Sequence, residues 1–340
     1  MSQSNTTQQT ISLTGIVDQT QFDKRLDQVL ADLFPEYSRS KLKEWILAGF
    51  VSIDGEVVTV ARQKMRGDEQ IDIHAEIAVQ VQNTPQAIDL DIVFEDEHVL
   101  VINKPAGLVV HPGAGNADGT VLNALLAHYP AIETIPRAGI VHRLDKDTSG
   151  VMVAAASELG MNSLSKQFYD RTTSREYVAI VWGDVEQDEG TIEGHIGRSL
   201  KDRLQMAVFP DGSEGKHAVT HYKVLQRFGY VTVVSCKLET GRTHQIRAHM
   251  RFLGHPLFND ERYGGDKILK GTSFSKYRQF IMNCFKACPR HALHAKTLGF
   301  EHPKSGEQMR FDTVIPEDMM EVIRKFENYT KSGPIFSEKA

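Results

Sequence analysis

The sequence has few cysteines and no long apolar run, and each shortage excludes a class of protein. Its 340 residues contain three cysteines, at positions 236, 284 and 288, which are too few and too oddly numbered for a disulfide framework. No stretch approaches the roughly 18 apolar residues that span a bilayer. The polar residues 1–10 lack the apolar segment of a secretory signal. These absences predict a protein of the reducing cytoplasm, without a membrane partner.

Acidic side chains outnumber basic ones, 44 to 39. The formal net charge is −5, which argues against a protein that coats nucleic acid without specificity. The deficit is local, because residues 51–100 carry 11 acidic and 3 basic side chains, a net of −8, and the other residues therefore sum to +3. A basic surface outside this acidic segment is compatible with the composition, so the net charge does not exclude an RNA partner.

Residues 16–75 have the pattern of a small domain with two helices and a hairpin. Apolar side chains recur at helical spacing in two stretches: Leu26, Val29, Leu30 and Leu33 in the first, and Leu42, Trp45 and Ile46 in the second. Arg39 and Lys43 lie one turn apart beside the second stripe, and Asp54-Gly55 predicts a hairpin turn. The block resembles the S4-type RNA-binding domain. A small structural unit with solvated Lys and Arg side chains is the alternative.

The rest of the chain predicts one large α+β domain. Residues 76–90 are polar and irregular and are interpreted as a linker, with a disordered tail at residues 1–15 and a C-terminal tail at residues 329–340. Between residues 91 and 328, strand-like runs such as residues 99–102 alternate with helical patterns such as residues 243–253. The fold class expected is therefore α+β: a small N-terminal S4-like domain, followed by a catalytic domain with a mixed, largely antiparallel sheet.

One string, HRLDKDTSG at residues 142–150, carries most of the functional information. It places the carboxylate of Asp145 two residues after Arg143 and just before a Thr-Ser-Gly turn. The apolar run at residues 151–156 follows at once and predicts a buried strand. A turn that leads into a buried strand can hold one carboxylate rigidly at the floor of a cleft.

Three further strings place polar groups at the ends of predicted elements. They are NKPAG at residues 103–107, REY at residues 175–177 and GRTHQIR at residues 241–247. Each of the four strings is weak evidence of function by itself, since a lone Asp in a turn is usually a cap and a lone Tyr entering a strand usually packs in the core. Together and in this order, the four strings resemble the RluA-type RNA pseudouridine synthases. Residues 111–115 and 290–295 also fit the branch that modifies large-subunit ribosomal RNA.

The resemblance implies a role for each matching residue. Asp145 is the essential carboxylate, Tyr177 and Arg247 complete the catalytic set, and Arg143 helps to expel the target base from its stack. It also implies a substrate, the large-subunit (23S) ribosomal RNA or a pre-ribosomal particle, at the stem-loop of the bridge between ribosomal subunits. Arg39, Lys43 and His244 are expected to contact RNA. No cofactor, no metal and a monomeric enzyme are expected.

The chemistry of pseudouridine formation agrees with these residue types. The reaction breaks the bond between the uracil nitrogen and the ribose, turns the base and rejoins it through a ring carbon, so neither a redox partner nor a group donor is needed. A carboxylate can attack the sugar or the base, or assist departure of the base. Arg247, near the start of its predicted helix, would favour the ionised form of Asp145 in a partly dry pocket. Tyr177 can stack on the flipped base.

Two other functions stay open on the residues alone. A hydrolase of a nucleoside or another glycosidic bond would share the early chemistry, and an RNA-binding protein without catalysis could keep the same fold. Other sites are disfavoured: the Asp145-Lys146-Asp147 pair lacks the apolar strand of an aspartyl phosphotransferase, and the glycines at 113, 115 and 119 miss the dinucleotide fingerprint. Cysteines 284 and 288 with histidines 291 and 294 are spaced poorly for zinc.

Overall fold

The protein divides into two compact units, Met1–Gln82 and Asn83–Ala340. A computed structural model describes residues 8–35, 37–78, 84–113, 115–333 and 336. Each unit has its own sheet and its own apolar core. Within the described residues, no helix is both long and apolar enough to cross a membrane.

The first unit packs two helices against a four-stranded antiparallel sheet. The strands are β1 (Gln8–Ile16), β2 (Val51–Ile53), β3 (Glu56–Val58) and β4 (Gln70–Ala78), in the order β1-β4-β2-β3, and the helices are α1 (Leu26–Leu33) and α2 (Arg39–Leu47). The apolar stripes predicted from the sequence face this core, where Leu30, Leu42 and Ile46 are fully buried. The side chain of Ser38 caps α2 by accepting from the Lys41 amide. The hairpin predicted at Asp54-Gly55 joins β2 to β3.

The predicted tails and linker are wrong at their inner edges. Residues 8–15, assigned to a disordered tail, form most of β1 and pair with β4 over its whole length. The physical reason is the alternation of Ile11 and Leu13 with polar neighbours, since both apolar side chains pack on the core. The predicted linker begins at residue 76, but β4 continues to Ala78, and the last helix extends to Thr330, past the predicted boundary at 328. Residues 1–7 and 79–83 lie outside the described residues.

The second unit is built on a ten-stranded sheet. Its strands are β5 (Asp91–Glu95), β6 (Val99–Lys104), β7 (Ser149–Ala155), β8 (Ser174–Trp182), β9 (Glu189–Arg198), β10 (Met206–Phe209), β11 (Lys216–Arg227), β12 (Val231–Leu238), β13 (Leu293–Glu301) and β14 (Gln308–Asp312). Its helices are α3 (Val121–His128), α4 (Glu158–Asp170), α5 (Gln245–Phe252), α6 (Ser275–Ala287) and α7 (Glu317–Thr330). The strand order is β10-β9-β11-β12-β8-β13-β7-β6-β5, with β14 paired to β13. Among the described strands only β7 and β13 pair in parallel, so the predicted α+β class with a largely antiparallel sheet is confirmed.

The register of the central strands brings distant motif strings together. Ala295 on β13 lies opposite Tyr177 on β8 and also opposite Gly150 on β7. Gly150 adopts φ +120°, and a Cβ placed there would lie 2.2 Å from the carbonyl oxygen of Ala295. The glycine that ends the Thr-Ser-Gly turn is therefore required by close backbone approach between two strands. This contact fixes the segment that carries Asp145 beside Tyr177.

Candidate active site

A cleft of about 810 Å³ opens on the second unit and collects most of the predicted site residues. Its walls are formed by residues from three of the four motif strings and from the C-terminal end of α4. The predicted residues that line it are Arg143, Asp145, Tyr177, His244 and Arg247. The fourth string, residues 103–107, does not line this cleft, and Arg39 and Lys43 belong to the other unit.

Asp145 contacts Arg247 at the floor of this cleft. Arg247 Nη1 donates to Asp145 Oδ2 at 3.0 Å, although the two residues are 102 positions apart. The side chain of Asp145 is 19% exposed and that of Arg247 is 7% exposed. One carboxylate is thus accessible to a ligand while it is held by a charge-assisted hydrogen bond from a guanidinium. The contact expected from the sequence is present.

A second carboxylate, which the sequence did not predict, holds Arg247 in place. Asp260 is 1% exposed and accepts from Arg247 Nε at 2.7 Å and from Nη2 at 2.8 Å. The Arg247 guanidinium also lies over the ring of Tyr263, 4.9 Å from its centroid. Burial alone would lower the pKa of Arg247, but the bonds and charges of Asp260 and Asp145 raise it. Arg247 is therefore a permanent cation with one N–H group directed at Asp145.

Tyr177 lies on β8 with its side chain facing the same cleft. It is 8% exposed, and burial, together with the charge of Asp145, raises the pKa of its phenol. The phenol is therefore neutral at physiological pH. Tyr177 belongs to the same apolar cluster as Leu144, Leu293 and Ile246, and all four residues line the cleft. Tyr177 thus offers a flat, rigid surface beside Asp145, which suits a planar ring as ligand.

His244 is the residue that precedes α5, and it adopts a left-handed backbone conformation with φ +53°. Its Nδ1 is 2.9 Å from the Tyr263 hydroxyl, and its Nε2 is 3.8 Å from Asp145 Oδ2. Burial lowers the pKa of His244, while Asp145 opposes this effect. A strained backbone beside a candidate carboxylate is typical of functional sites. His244 is placed at the helix start, where its ring orients Tyr263 and borders the cleft.

Buried groups hold the loop that follows Asp145. Lys104 is 0% exposed, and its Nζ donates to the carbonyl oxygens of Pro105, Leu108 and Lys146 at 2.7–3.0 Å. Burial lowers the pKa of Lys104 to about 7. The three carbonyl acceptors have the opposite preference, because they match the three donors of the protonated amine. The NKPAG string therefore supports the loop that carries Asp145 without lining the cleft.

The second half of this loop is held by the string at residues 290–295. Arg290 Nη1 donates to the carbonyl oxygen of Asp147 at 2.9 Å. His291 and His294 are hydrogen-bonded to the hydroxyls of Thr148 and Ser149 at 2.8 and 2.9 Å. These contacts account for the histidines that sequence spacing had compared with zinc ligands. In the part of the chain that the structure describes, no group of three His, Cys, Asp or Glu side chains is arranged to hold a metal ion.

Three buried histidines make the fold sensitive to acid. Burial lowers the pKa of His249 and His294 to about 4 and that of His291 well below its usual value. Because the unfolded chain binds these protons near pH 6.5, stability is fully present above that pH and is lost as the pH falls towards 4. Urea unfolding at pH 7, 6 and 5 should show a loss of up to about 1.4 kcal/mol per pH unit for each histidine.

The matched variants for this experiment are His249→Gln and His128→Gln. His249 is fully buried, so His249→Gln should make the dependence on pH shallower. His128 is at the surface, paired with Glu95, and serves as the control. An unchanged slope in His249→Gln would contradict the assignment of a neutral buried imidazole.

The arrangement supports covalent or base catalysis by one carboxylate. Asp145 is accessible and oriented by a fixed cation, and Tyr177 offers a ring surface beside it. Arg143 is exposed at the edge of the cleft and makes no ion pair with any described residue. The site therefore combines an accessible carboxylate, a surface for a planar ring and a free cation, the set expected for an enzyme that acts on an extruded base.

Comparison with protein-family models gives two matches. Residues 98–252, which include Asp145, Tyr177 and Arg247, match the model described as RNA pseudouridylate synthase. Residues 24–71, which include Arg39 and Lys43, match the S4 domain. The predicted S4-like identity of the first unit is thereby confirmed.

Comparison with whole proteins extends the similarity along the chain. The chain is 48% identical over 321 residues to the ribosomal large subunit pseudouridine synthase D of Vibrio parahaemolyticus, covering 93% of this chain and 96% of that protein. It is 47% identical over 316 residues to the protein of the same name from Escherichia coli, covering 93% and 94%.

Solved structures agree in fold. Human RNA pseudouridylate synthase domain containing 4 superposes with a TM-score of 0.52 at 23% identity, over 70% of this chain and 93% of that one. Human RNA pseudouridylate synthase domain containing 1 gives a TM-score of 0.51 at 25% identity, over 73% and 97%. These likenesses place the fold of the second unit among the pseudouridylate synthases.

Proposed function

The chain belongs to the RNA pseudouridylate synthase family, and from that premise we propose that it isomerises uridine to pseudouridine in large-subunit ribosomal RNA. The relatives that match over 93% of the chain carry this activity in their names. The observation that carries the proposal in the molecule is the ion pair of Asp145 and Arg247, at the floor of a cleft bordered by Tyr177. The stem-loop at the subunit bridge is the substrate region that the sequence resemblance implies.

In the proposed mechanism the target uridine leaves its stack and enters the cleft, because a base inside a duplex is not accessible to Asp145. Arg143, exposed at the cleft edge, stabilises the extruded state. The carboxylate of Asp145 attacks the sugar or the base, or assists departure of the uracil, and the bond between the uracil nitrogen and the ribose breaks. The uracil turns while it stays against Tyr177, and a bond from its ring carbon 5 to the ribose forms. The proton on that carbon is lost and the ring nitrogen gains one, so atoms and charge balance.

Modification of transcribed RNA by the full chain, without added cofactor, tests this proposal. Pseudouridine has the mass of uridine, so the product is read by pseudouridine-specific chemical labelling of the RNA. The expected result is labelled RNA and no free uracil. Free uracil with an abasic ribose would instead assign the protein to glycosidic-bond hydrolysis, and a gel shift with every uridine unchanged would assign it to RNA binding without catalysis.

We also propose that the S4 unit adds affinity and placement on structured RNA. Lys43 is exposed and makes no ion pair with a described residue. Arg39 is half-exposed, and its guanidinium donates to the buried carboxylate of Asp27 at 2.8 Å. Arg39 therefore makes a structural ion pair while half of its side chain stays exposed to solvent, whereas Lys43 is free to contact phosphate. Phosphate contacts position a protein without reading bases, and they weaken with salt.

Removal of the first unit should weaken RNA binding more than it weakens catalysis. The truncated chain should begin at Asn83, because Asn123 donates to the carbonyl oxygen of Thr84 and Gln86 accepts from the Gly119 amide. We expect it to modify a short hairpin with weaker binding and a shallower dependence of affinity on salt. The measurement is affinity at several salt concentrations, together with turnover on the same hairpin.

The control for the truncation is the full chain with Lys43→Gln, which should reproduce part of the loss in affinity. Binding as tight as that of the full chain, with the same salt slope, would assign the S4 unit another purpose. Tight binding with no turnover by a folded truncated protein would show that the first unit takes part in catalysis.

The proposed setting is the cytoplasm, with a monomeric enzyme acting on ribosomal RNA or on a pre-ribosomal particle without a cofactor. All three cysteines are free and buried, which supports a reducing compartment. Burial raises the pKa of each of the three thiols to about 12, so they are protonated and unreactive.

A further inference from the structure

We propose that Arg171, Arg175 and Arg242 form a phosphate-binding subsite on one wall of the cleft, which holds the RNA backbone next to the extruded uridine. The inference rests on the proposed function and adds to it residues that position the substrate strand. Of the three, Arg175 begins the REY string and Arg242 belongs to the GRTHQIR string, but neither was predicted to bind RNA. Arg171 lies outside all four strings.

Three different elements bring these guanidinium groups to one wall. Arg171 ends α4 in a left-handed conformation with φ +62°, Arg175 lies at the start of β8, and Arg242 lies in the turn before α5. All three line the cleft that contains Asp145. Arg175 and the turn that carries Arg242 are in close contact, since a Cβ on Gly241, the residue before Arg242, would lie 2.7 Å from Arg175 Nη1. Burial lowers the pKa of Arg175 and of Arg242, and the charge of Arg171 lowers both further.

None of the three arginines has a carboxylate partner among the described residues. Two acidic side chains besides Asp145 line the cleft, and neither contacts these arginines: Asp170 pairs with Lys166, and Glu239 contacts the His221 ring at 2.6 Å. Arg242 donates from Nε to a backbone carbonyl, that of His217, at 3.0 Å. The wall therefore carries three guanidinium groups that no carboxylate in the described part of the chain contacts.

Arg175 shows most clearly that this charge is not an ordinary solvated surface. It is 7% exposed, its Nη2 donates to the backbone carbonyl of Glu239 at 3.3 Å, and its buried Nε has no acceptor among the described residues. A buried cation without a counter-charge is costly, so its retention points to an anion that binds there. The glycine at position 241 leaves room for the Arg175 guanidinium, because a Cβ on Gly241 would lie 2.7 Å from Arg175 Nη1.

An exposed aromatic ring beside the arginines favours RNA over a free anion. Tyr169 lines the same cleft and is 85% exposed. It lies two residues before Arg171. Exposed aromatic rings combined with arginines are the usual surface for single-stranded nucleic acid, where bases stack and phosphates are held. We therefore assign Tyr169 as a stacking platform for a base that flanks the target.

The test uses the full chain with Arg171→Gln, Arg242→Gln and the double variant. Arg175 is left intact, because its burial makes a folding defect the expected result of any change there. Arg278→Gln removes the same charge from an exposed arginine on α6, away from the cleft, and is the matched control. Arg171→Lys restores the charge without the planar guanidinium.

For a short uridine-containing hairpin we expect each Gln variant to raise KM by about fivefold, with a larger effect on KM than on kcat. The slope of log affinity against log salt should become shallower by about 0.7–0.9 for each phosphate that the variant no longer neutralises. Arg171→Lys should recover the slope, and Arg278→Gln should match wild type. Equal effects in Arg278→Gln, or wild-type KM and salt slope in the double variant, would overturn the subsite.

Failure of the proposed function would look different. If the wild-type chain formed no pseudouridine, the salt slopes of RNA binding would still decide whether the three arginines hold phosphate. Inorganic phosphate, tested as a competitor of hairpin binding, distinguishes the RNA backbone from free phosphate as the ligand of the three arginines. Competition at low millimolar concentration would contradict the assignment to the RNA backbone, since the proposed site needs the flanking base on Tyr169.

Discussion

Asp145→Asn should lower pseudouridine formation by at least about a thousandfold, because the change removes the carboxylate charge at the cleft floor while keeping the shape of the side chain. Stability should stay close to wild type. Arg247 keeps both bonds to Asp260 when Asp145 is replaced by a neutral residue, so no cation is left unpaired. RNA affinity should also be retained, since the arginines of the cleft wall are untouched.

The measurement is single-turnover modification of a hairpin, with thermal unfolding and RNA affinity measured on the same samples. Asp147→Asn is the matched control, because it removes a carboxylate two residues further along the same loop, where the contact to Arg290 uses the backbone carbonyl. Asp147→Asn should keep most of the activity. Turnover of Asp145→Asn within tenfold of wild type would remove Asp145 from the role of nucleophile.

Arg247→Met should lower both activity and stability, whereas Asp145→Asn should lower activity alone. Activity should fall at least about a hundredfold, because Asp145 loses the cation that orients it. Stability should fall by about 3–5 kcal/mol, because Asp260, at 1% exposure, is left as a buried carboxylate without a counter-charge. Urea unfolding and single-turnover kinetics measure the two effects separately.

A double variant distinguishes these two roles of Arg247. Arg247→Met with Asp260→Asn removes the buried charge and keeps an acceptor for the Tyr263 amide, so it should recover more than half of the lost stability and none of the activity. If the double variant stayed as unstable as Arg247→Met, the buried charge would not be the cause of the loss. Full activity of either variant at neutral pH would contradict the role given to the Asp145 contact.

The strings around the cleft were visible in the sequence because each combines polar residues with the end of an element. Asp145 precedes an apolar run, and Arg247 follows the first apolar position of an amphipathic helix. These local patterns were enough to predict the helices of the S4 unit and the central strands, whereas the pairing of Asp145 with Arg247 was expected from the family resemblance of the strings. They also identified the family, since four strings in one order are far more specific than any of them alone.

The residues that support the site could not be found in this way, because their roles depend on contacts between distant segments. Asp260 and Tyr263 lie in a short polar turn with no periodic pattern, and only the packing of that turn against α5 brings them to Arg247. Lys104 looks like an ordinary loop lysine until the fold buries it under residue 146. By contrast, β1 could have been predicted, since the alternation at residues 10–16 is present in the sequence and was outweighed by the polar residues before it.

The most direct test of the central claim is a map of pseudouridines in large-subunit ribosomal RNA from cells that lack this protein. The account predicts that one or a few positions, in the stem-loop at the subunit bridge, revert to uridine. Expression of the wild-type chain should restore them, and expression of Asp145→Asn at the same level should not. An unchanged map in the cells without the protein, or restoration by Asp145→Asn, would contradict the account.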